Sequence, residues 1–388
     1  MSARRCAFPS PSDRPAASVV LPGGGAGMAI GRRAFLIALG MAPMAARAAL
    51  PAPGLQDIGG RANMLFGAAV QARQILTDPG FRAHVLHECG SITPEIELKW
   101  DFIDPEPGAN QFTPADQLAR FAARNGKRLH GHALLWHKSI PPWAVQQMAD
   151  RPDWGAVSGF MASVIPRYAG VADGWDVVNE PLEPNGRADG LRASPFLAAF
   201  GPDYIRRAFD EARRLAPGAP LFLNEYGLDY DRPDCQRKRE ALLRLLDELG
   251  RTGAPIDGIG LQLHLELARM GEFDERIFAD FLNELGARGL QIRISELDVA
   301  EAETAIPVEE RDRRCGEAVR RVLDVAVANR AVGSITCWGL SDRYSWLPPP
   351  SEQSGLNRGL PLDSDLKRKE IYLAIRDAFR QREALLRK

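Results

Sequence analysis

Two short stretches of this chain combine residue types that could do chemistry. The first runs Gln291-Ile292-Arg293-Ile294-Ser295-Glu296-Leu297-Asp298-Val299, an apolar-alternating strand that ends in two acids. The second, Gly174-Trp175-Asp176-Val177-Val178-Asn179-Glu180-Pro181, is an apolar strand that delivers a glutamate and is then stopped by proline. Two strands that each carry a Glu to the C-terminal end suit double displacement at an acetal carbon. One carboxylic acid protonates the leaving oxygen and the other attacks, at a separation of roughly 5–5.5 Å. On this reading Glu296 is the nucleophile and Glu180 the acid/base.

Further polar clusters lie where other strands should end. Thr93–Trp100 holds Glu95, Lys99 and Trp100, for which an ion pair covering a helix start is the plainer alternative. His130–His137 places three of the six histidines and Trp136 in eight residues, with His130 and His132 on one strand face. A lone histidine is more often core filler, but three at this spacing ask for a role. Asn179 stands beside Glu180, and Asn224-Glu225-Tyr226 closes another apolar run. Gln262 and His264 are two apart, as are Glu296 and Asp298. Trp338 ends the last apolar run, with Trp346 beyond it. Five of the seven tryptophans fall in such segments. Indole faces beside Glu, Gln, Asn and His suit a site that stacks on sugar rings and hydrogen-bonds hydroxyls, although a single Trp is more often core.

Positioning these groups requires elements that repeat. Strand-like runs occur at 64–70, 90–93, 128–135, 174–179, 220–224, 258–263, 291–297 and 334–338. Amphipathic segments separate them at 114–125, 203–215, 235–249, 274–288 and 307–329, and a last helix is expected over 367–386. Eight alternations in about 300 residues predict a single-domain (β/α)₈ barrel rather than two doubly wound sheets, with the clusters on its C-terminal face.

The formal charge of −1 and the lack of a basic patch argue against nucleic-acid or anionic-membrane binding. Residues 1–48 read as an export signal. A twin-arginine pattern, Gly31-Arg32-Arg33-Ala34-Phe35-Leu36, precedes an apolar run, and Ala46-Arg47-Ala48 fits a cleavage site. The apolar run is shorter than the roughly 20 residues that span a bilayer. Met28 is an alternative start, with residues 1–27 an over-called extension. The expectation is a catalytic domain over 49–388, exported to the periplasm or beyond, monomeric and free of the membrane once the signal is removed. Its net charge is −6 with 43 basic and 49 acidic side chains. Cys89, Cys235, Cys315 and Cys337 show no zinc spacing, and one disulfide, Cys315 with Cys337, is the candidate pair.

Six motifs in order carry a family resemblance: T-P-E-x-x-x-K-W, G-H-x-L-x-W-H, W-D-V-V-N-E-P, G-x-G-x-Q-x-H, S-E-L-D and W-G-x-x-D-x-Y-S-W. From about Leu65 to the last helix the chain resembles glycoside hydrolase family 10, the endo-β-1,4-xylanases. The resemblance implies hydrolysis of β-1,4-xylan or a related plant cell-wall polysaccharide, with no metal or organic cofactor. It makes Glu296 the nucleophile and Glu180 acid then base. Asn179 would bond Glu296 or the sugar's 2-hydroxyl, and His264 would bridge Glu296 and Asp298. Gln262, His132 and Lys99 would bind the glycone sugar nearest the cleavage point, and Glu95 a more distant one. Trp136, Trp338 and Trp346 would wall the site, with Tyr226 toward the leaving group. Burial and the charge of Glu296 should raise the pKa of Glu180.

The chain departs from the family where Ile96 replaces the usual Asn after T-P-E, and where Lys138-Ser139 replaces Ser-Gln after W-H. Both places normally bond the second glycone sugar, so an altered distal subsite is expected, tuned to a decorated or other β-glycan. Lys369-Glu370-Ile371-Tyr372 also departs from the usual Lys-Pro-Ala-Tyr, without functional meaning. Two rivals remain. One is a metal-dependent amidohydrolase using His130, His132 and His264, which leaves both glutamate strands unexplained. The other is a glycan-binding barrel without activity.

Overall fold

The computed structural model describes residues 52–301, 306–350 and 355–387. The export-signal expectation for residues 1–48 lies outside them. Eight strands, all parallel, close on themselves: β1 (Leu65–Val70), β2 (Ser91–Pro94), β3 (Arg128–Gly131), β5 (Ala172–Asn179), β6 (Leu221–Glu225), β7 (Gly258–Leu261), β9 (Gln291–Ala300) and β10 (Val332–Cys337), with β10 pairing both β9 and β1. This is the expected (β/α)₈ barrel. Two short strands lie off the ring: β4 (Leu135–Trp136) extends beside β5, and β8 (His264–Glu266) beside β9.

Those short strands correct two expectations. The run 128–135 is not one strand: it stops at Gly131 and resumes at Leu135. The run 258–263 stops at Leu261, and Leu263 takes a left-handed φ of 56° before His264. Gln262 and His264 therefore reach the mouth across a kink, not along one regular strand face.

Bulges occur in both glutamate strands. Between Asp176 and Val178 of β5, two steps match one step from Phe222 to Leu223 of β6. Between Ile294 and Leu297 of β9, three steps match two on β10, from Ile335 to Cys337. An inserted residue breaks strict alternation and re-aims a side chain. In β9 it lets neighbours Ser295 and Glu296 both reach Asn224 inside the barrel.

The helices form the outer layer. Asp274 caps the helix Glu275–Ala287 by accepting from the Ile277 N–H at 2.8 Å, which explains why that helix begins there. Helix Glu370–Leu386 packs Phe379 against Phe66 of β1, with ring centroids 6.3 Å apart. Its approach to helix Val308–Ala326 is so close that a Cβ on Gly316 would sit 2.5 Å from Glu370 Cβ. Cys89, Cys235, Cys315 and Cys337 are all buried free thiols, so the candidate disulfide is not formed. Among the described residues no helix is long and apolar enough to cross a membrane.

Candidate active site

The structure brings the expected carboxylates and their supports to the C-terminal mouth of the barrel. Glu180 follows directly on β5. Its backbone is left-handed, with φ of 55°, and its N–H donates to the Asn224 carbonyl at 2.9 Å. Gln262 Nε2 donates to Glu180 Oε1 at 3.4 Å and to Asn179 Oδ1 at 3.3 Å. Among the described residues no hydrogen bond of ordinary geometry reaches Glu180 Oε2, although that atom is buried.

Glu296 is gripped on both oxygens. Asn224 Nδ2 donates to Oε1 at 2.6 Å, and His264 Nε2 lies 3.1 Å from Oε2. His264 in turn meets Asp298 Oδ1 through Nδ1 at 2.9 Å, while the Trp346 indole donates to Asp298 Oδ2 at 2.6 Å. Burial alone would push the His264 imidazole down, but the Asp298 and Glu296 carboxylates raise its pKa to about 10. It is therefore an imidazolium at neutral pH, a positive charge set 3.1 Å from Glu296 Oε2.

Two residues that carry this grip, Asn224 and Ser295, have no role assigned to them by the sequence. Asn224, rather than Asn179, bonds Glu296. The Asn179 carbonyl instead accepts from Asn224 Nδ2 at 2.9 Å and from Gln262. Ser295 Oγ donates to Asn224 Oδ1 at 2.6 Å, which fixes the orientation of that amide. Asn224 has room because β7 has glycine at 260: a Cβ there would lie 2.0 Å from Asn224 Oδ1. Gly260→Ala should thus displace the amide holding the nucleophile. Misplacement by about 1 Å costs on the order of 10²-fold in kcat. Steady-state kinetics beside a thermal melt check this, and a folded variant with unchanged kcat would show that Asn224 is not needed.

The walls follow the expectation in part. Trp136 and Trp338 are buried at the mouth, and Lys99 Nζ lies 4.5 Å from the Trp136 ring centroid and 5.9 Å from that of Trp338. Burial holds the Lys99 ammonium below its usual pKa in spite of Glu95, Glu296, Asp101 and Glu180 around it. Glu95 accepts from Gln71 Nε2 at 3.2 Å. Tyr226 is half-buried, its ring 3.4 Å from Lys238 Nζ and its hydroxyl accepting from Arg192 at 2.8 Å. Trp100 and Trp175, by contrast, belong to the core. Trp100 stacks on Phe160 with centroids 4.9 Å apart, and Trp175 fills the space beside Gly131.

His130 of β3 and His132 just beyond it point to Asp176 rather than to a metal. His132 Nδ1 meets Asp176 Oδ2 at 2.9 Å, and His130 Nε2 lies 3.0 Å from Asp176 Oδ1. The His132 ring meets Trp338 edge-on at 5.0 Å. Among the described residues no group of three His, Cys, Asp or Glu is arranged to hold a metal ion.

One electrostatic expectation is overturned. Burial does push the Glu180 carboxyl up, but the Lys138 ammonium, His137, the Trp136 indole and Lys238 together hold it below the ordinary value. The missing element was Lys138, whose Nζ lies 3.9 Å from Glu180 Oε2. The two departures of the distal subsite are also visible. Ile96 is half-buried, and the buried Ser139 hydroxyl donates to Asp101, so neither presents an amide.

Residues 54–378 match the profile of glycosyl hydrolase family 10. Endo-1,4-beta-xylanase B of Thermotoga neapolitana is 30% identical over 300 residues, covering 76% of this chain and 82% of that protein. Beta-1,4-xylanase of Dictyoglomus thermophilum is 31% identical over 265 residues, covering 66% of this chain and 72% of that one. Among solved structures, native xylanase 10B of Thermotoga maritima has a TM-score of 0.75 at 28% identity, covering 86% of this chain and 99% of its own. Xylanase 10B of Thermotoga petrophila RKU-1, solved in complex with xylobiose, has a TM-score of 0.76 at 27% identity, over the same 86% and 99%. With the closed barrel, the glutamate pair and these likenesses in agreement, the chain belongs to glycosyl hydrolase family 10 and is a glycoside hydrolase.

Proposed function

We propose that the protein is a retaining endo-β-1,4-xylanase working by double displacement. The observation that carries this reading is the unequal treatment of the two carboxylates. Glu296 is held on both oxygens by Asn224 and His264, while at Glu180 Oε2 no hydrogen bond of ordinary geometry forms among the described residues, the Trp136 indole and the Lys138 ammonium standing only nearby. A nucleophile benefits from fixed orientation, and a proton donor needs a free oxygen.

In the first step a Glu296 oxygen attacks the anomeric carbon, forming a glycosyl ester. The bond to the leaving sugar breaks, and its oxygen takes the proton of Glu180. In the second, Glu180 removes a proton from water, water attacks the same carbon, the ester bond breaks, and Glu296 returns as carboxylate. The imidazolium of His264 favours that carboxylate as leaving group. Lys99, His132, Gln262 and the Asn179 amide serve the glycone sugar nearest the reaction, Glu95 the next. Trp136, Trp338 and Trp346 supply the walls, and Tyr226 faces the aglycone.

Because neither Ile96 nor Ser139 offers an amide, grip on the second glycone sugar is weaker. Each lost partner removes about 1–3 kcal/mol of discrimination. The mature protein acts as a monomer after twin-arginine export, and Arg32→Lys with Arg33→Lys would hold it in the cytoplasm.

The test is sugar release from glucuronoxylan, arabinoxylan, β-glucan and linear xylo-oligosaccharides, with Glu296→Ala as blank. Xylan should be cut to short products with the β-configuration retained at first appearance. α-configured products would sink double displacement, and β-glucan cleaved in preference to every xylan would sink the substrate.

A further inference from the structure

The turn after β4 carries a cation where the family resemblance leads one to expect serine. Lys138 Nζ lies 3.9 Å from Glu180 Oε2, and its side chain is 38% exposed, so it touches both the buried carboxylate and solvent. The other positive groups near Glu180 have partners of their own. Lys99 lies over the Trp136 ring, and Lys238 pairs with Glu225 at 2.8 Å. Arg192 pairs with Glu183 at 3.1 Å and donates to the Tyr226 hydroxyl and the carbonyls of Glu180 and Leu182. His137 also lowers the Glu180 carboxyl, but burial pushes its own pKa down to about 4, so it carries charge only in acid. Glu225 adds negative charge, already matched by Lys238. Among the described residues Lys138 has no ion-pair partner but Glu180.

This arrangement sets a conflict within the reaction. Glu180 must hold a proton to release the leaving sugar, and an ammonium close by favours the unprotonated form. A neutral glycan entering the cleft displaces water and leaves the Lys138–Glu180 attraction less screened, which makes protonation harder. A glycan bearing its own carboxylate would act in the opposite sense. It would give Lys138 a second counter-ion at the exposed end of its side chain and leave the buried Glu180 free to take up its proton.

We propose that Lys138 is a specificity-determining residue, an ion-pair partner of Glu180 in the free enzyme for which a substrate carboxylate competes, so that uronate-substituted β-1,4-glycans are cleaved in preference to neutral ones. The proposal rests on Glu180 being the acid/base. It adds a chemical class of substrate that the distal subsite, with Ile96 and Ser139, does not indicate.

The experiment uses glucuronoxylan and the same polymer with its carboxyls reduced to alcohols, which removes the charge and keeps the shape. For wild type, Lys138→Ser and Lys138→Arg, kcat/KM is followed across the pH range on both polymers. Wild type should favour the acidic polymer by about 10-fold, the equivalent of one pKa unit. Lys138→Ser should bring that ratio near one. On the reduced polymer it should also move the basic limb of kcat/KM upward by about one pH unit, because the acid of the free enzyme is no longer held deprotonated. Lys138→Arg should keep both wild-type properties, which a merely structural role for the lysine stem would not require. No preference in wild type, a preference that survives in Lys138→Ser, or an unmoved basic limb overturns the proposal. Failure of wild type to cut either polymer overturns the underlying assignment of the acid/base instead.

Discussion

Glu296→Ala should lower hydrolysis of every substrate, natural or activated, by on the order of 10⁵-fold. The loss is general because no leaving group, however good, replaces the attacking oxygen. Folding should survive. His264 keeps Asp298 at 2.9 Å as counter-ion, and Asn224 keeps the Asn179 carbonyl and the Ser295 hydroxyl as partners. The donors of Asn224 and His264 left without an acceptor cost about 1–3 kcal/mol. Burst kinetics with a dinitrophenyl xylobioside and a thermal melt decide the matter together. A folded variant that still releases a stoichiometric burst of phenol would show that the glycosyl ester forms elsewhere.

Glu180→Ala should instead divide substrates by their leaving groups. Xylan, whose leaving oxygen needs a proton, should lose about 10³–10⁴-fold. A dinitrophenyl glycoside needs none, so its first step should run near the wild-type rate. Its second step, deprived of a base, should then limit turnover and lower KM as the intermediate accumulates. Azide should restore turnover and yield a β-glycosyl azide, because a small anion entering the vacated space needs no base. Equal losses on xylan and on the activated glycoside would remove Glu180 from the acid/base role.

The barrel was legible because its strands are written as uninterrupted apolar runs bounded by helices. The glutamates stood out because a buried strand that ends in acid has no structural excuse. What sequence could not carry was the set of contacts that form only when strands close into a ring. Asn224 reaches Glu296 across 72 positions, and Ser295 reaches Asn224 only because a bulge in β9 breaks the alternation that would turn it outward. Gln71 escaped notice as a single polar residue after β1, although its position at a strand's C-terminal end was the same signal used for the others. Trp100 and Trp175 were grouped with the site because they neighbour its motifs, while their rings turn into the core against Phe160 and Gly131. The direction of the Glu180 shift was misjudged because charge at one carboxylate depends on every neighbour, and Lys138 had been read only for what it replaced.

The left-handed backbone at Glu180 bears on how this protein could be engineered. With φ of 55° the position favours glycine or asparagine, and glutamate there works against the local preference by about 1 kcal/mol. Glycine would relieve the backbone and remove a buried carboxyl in one stroke. A library sorted only for thermal robustness would therefore enrich inactive barrels at position 180, with the rest of the mouth unchanged. Such a sort would convert a polysaccharide-cutting enzyme into a lectin, and only a screen that counts turnovers would keep the acid in place.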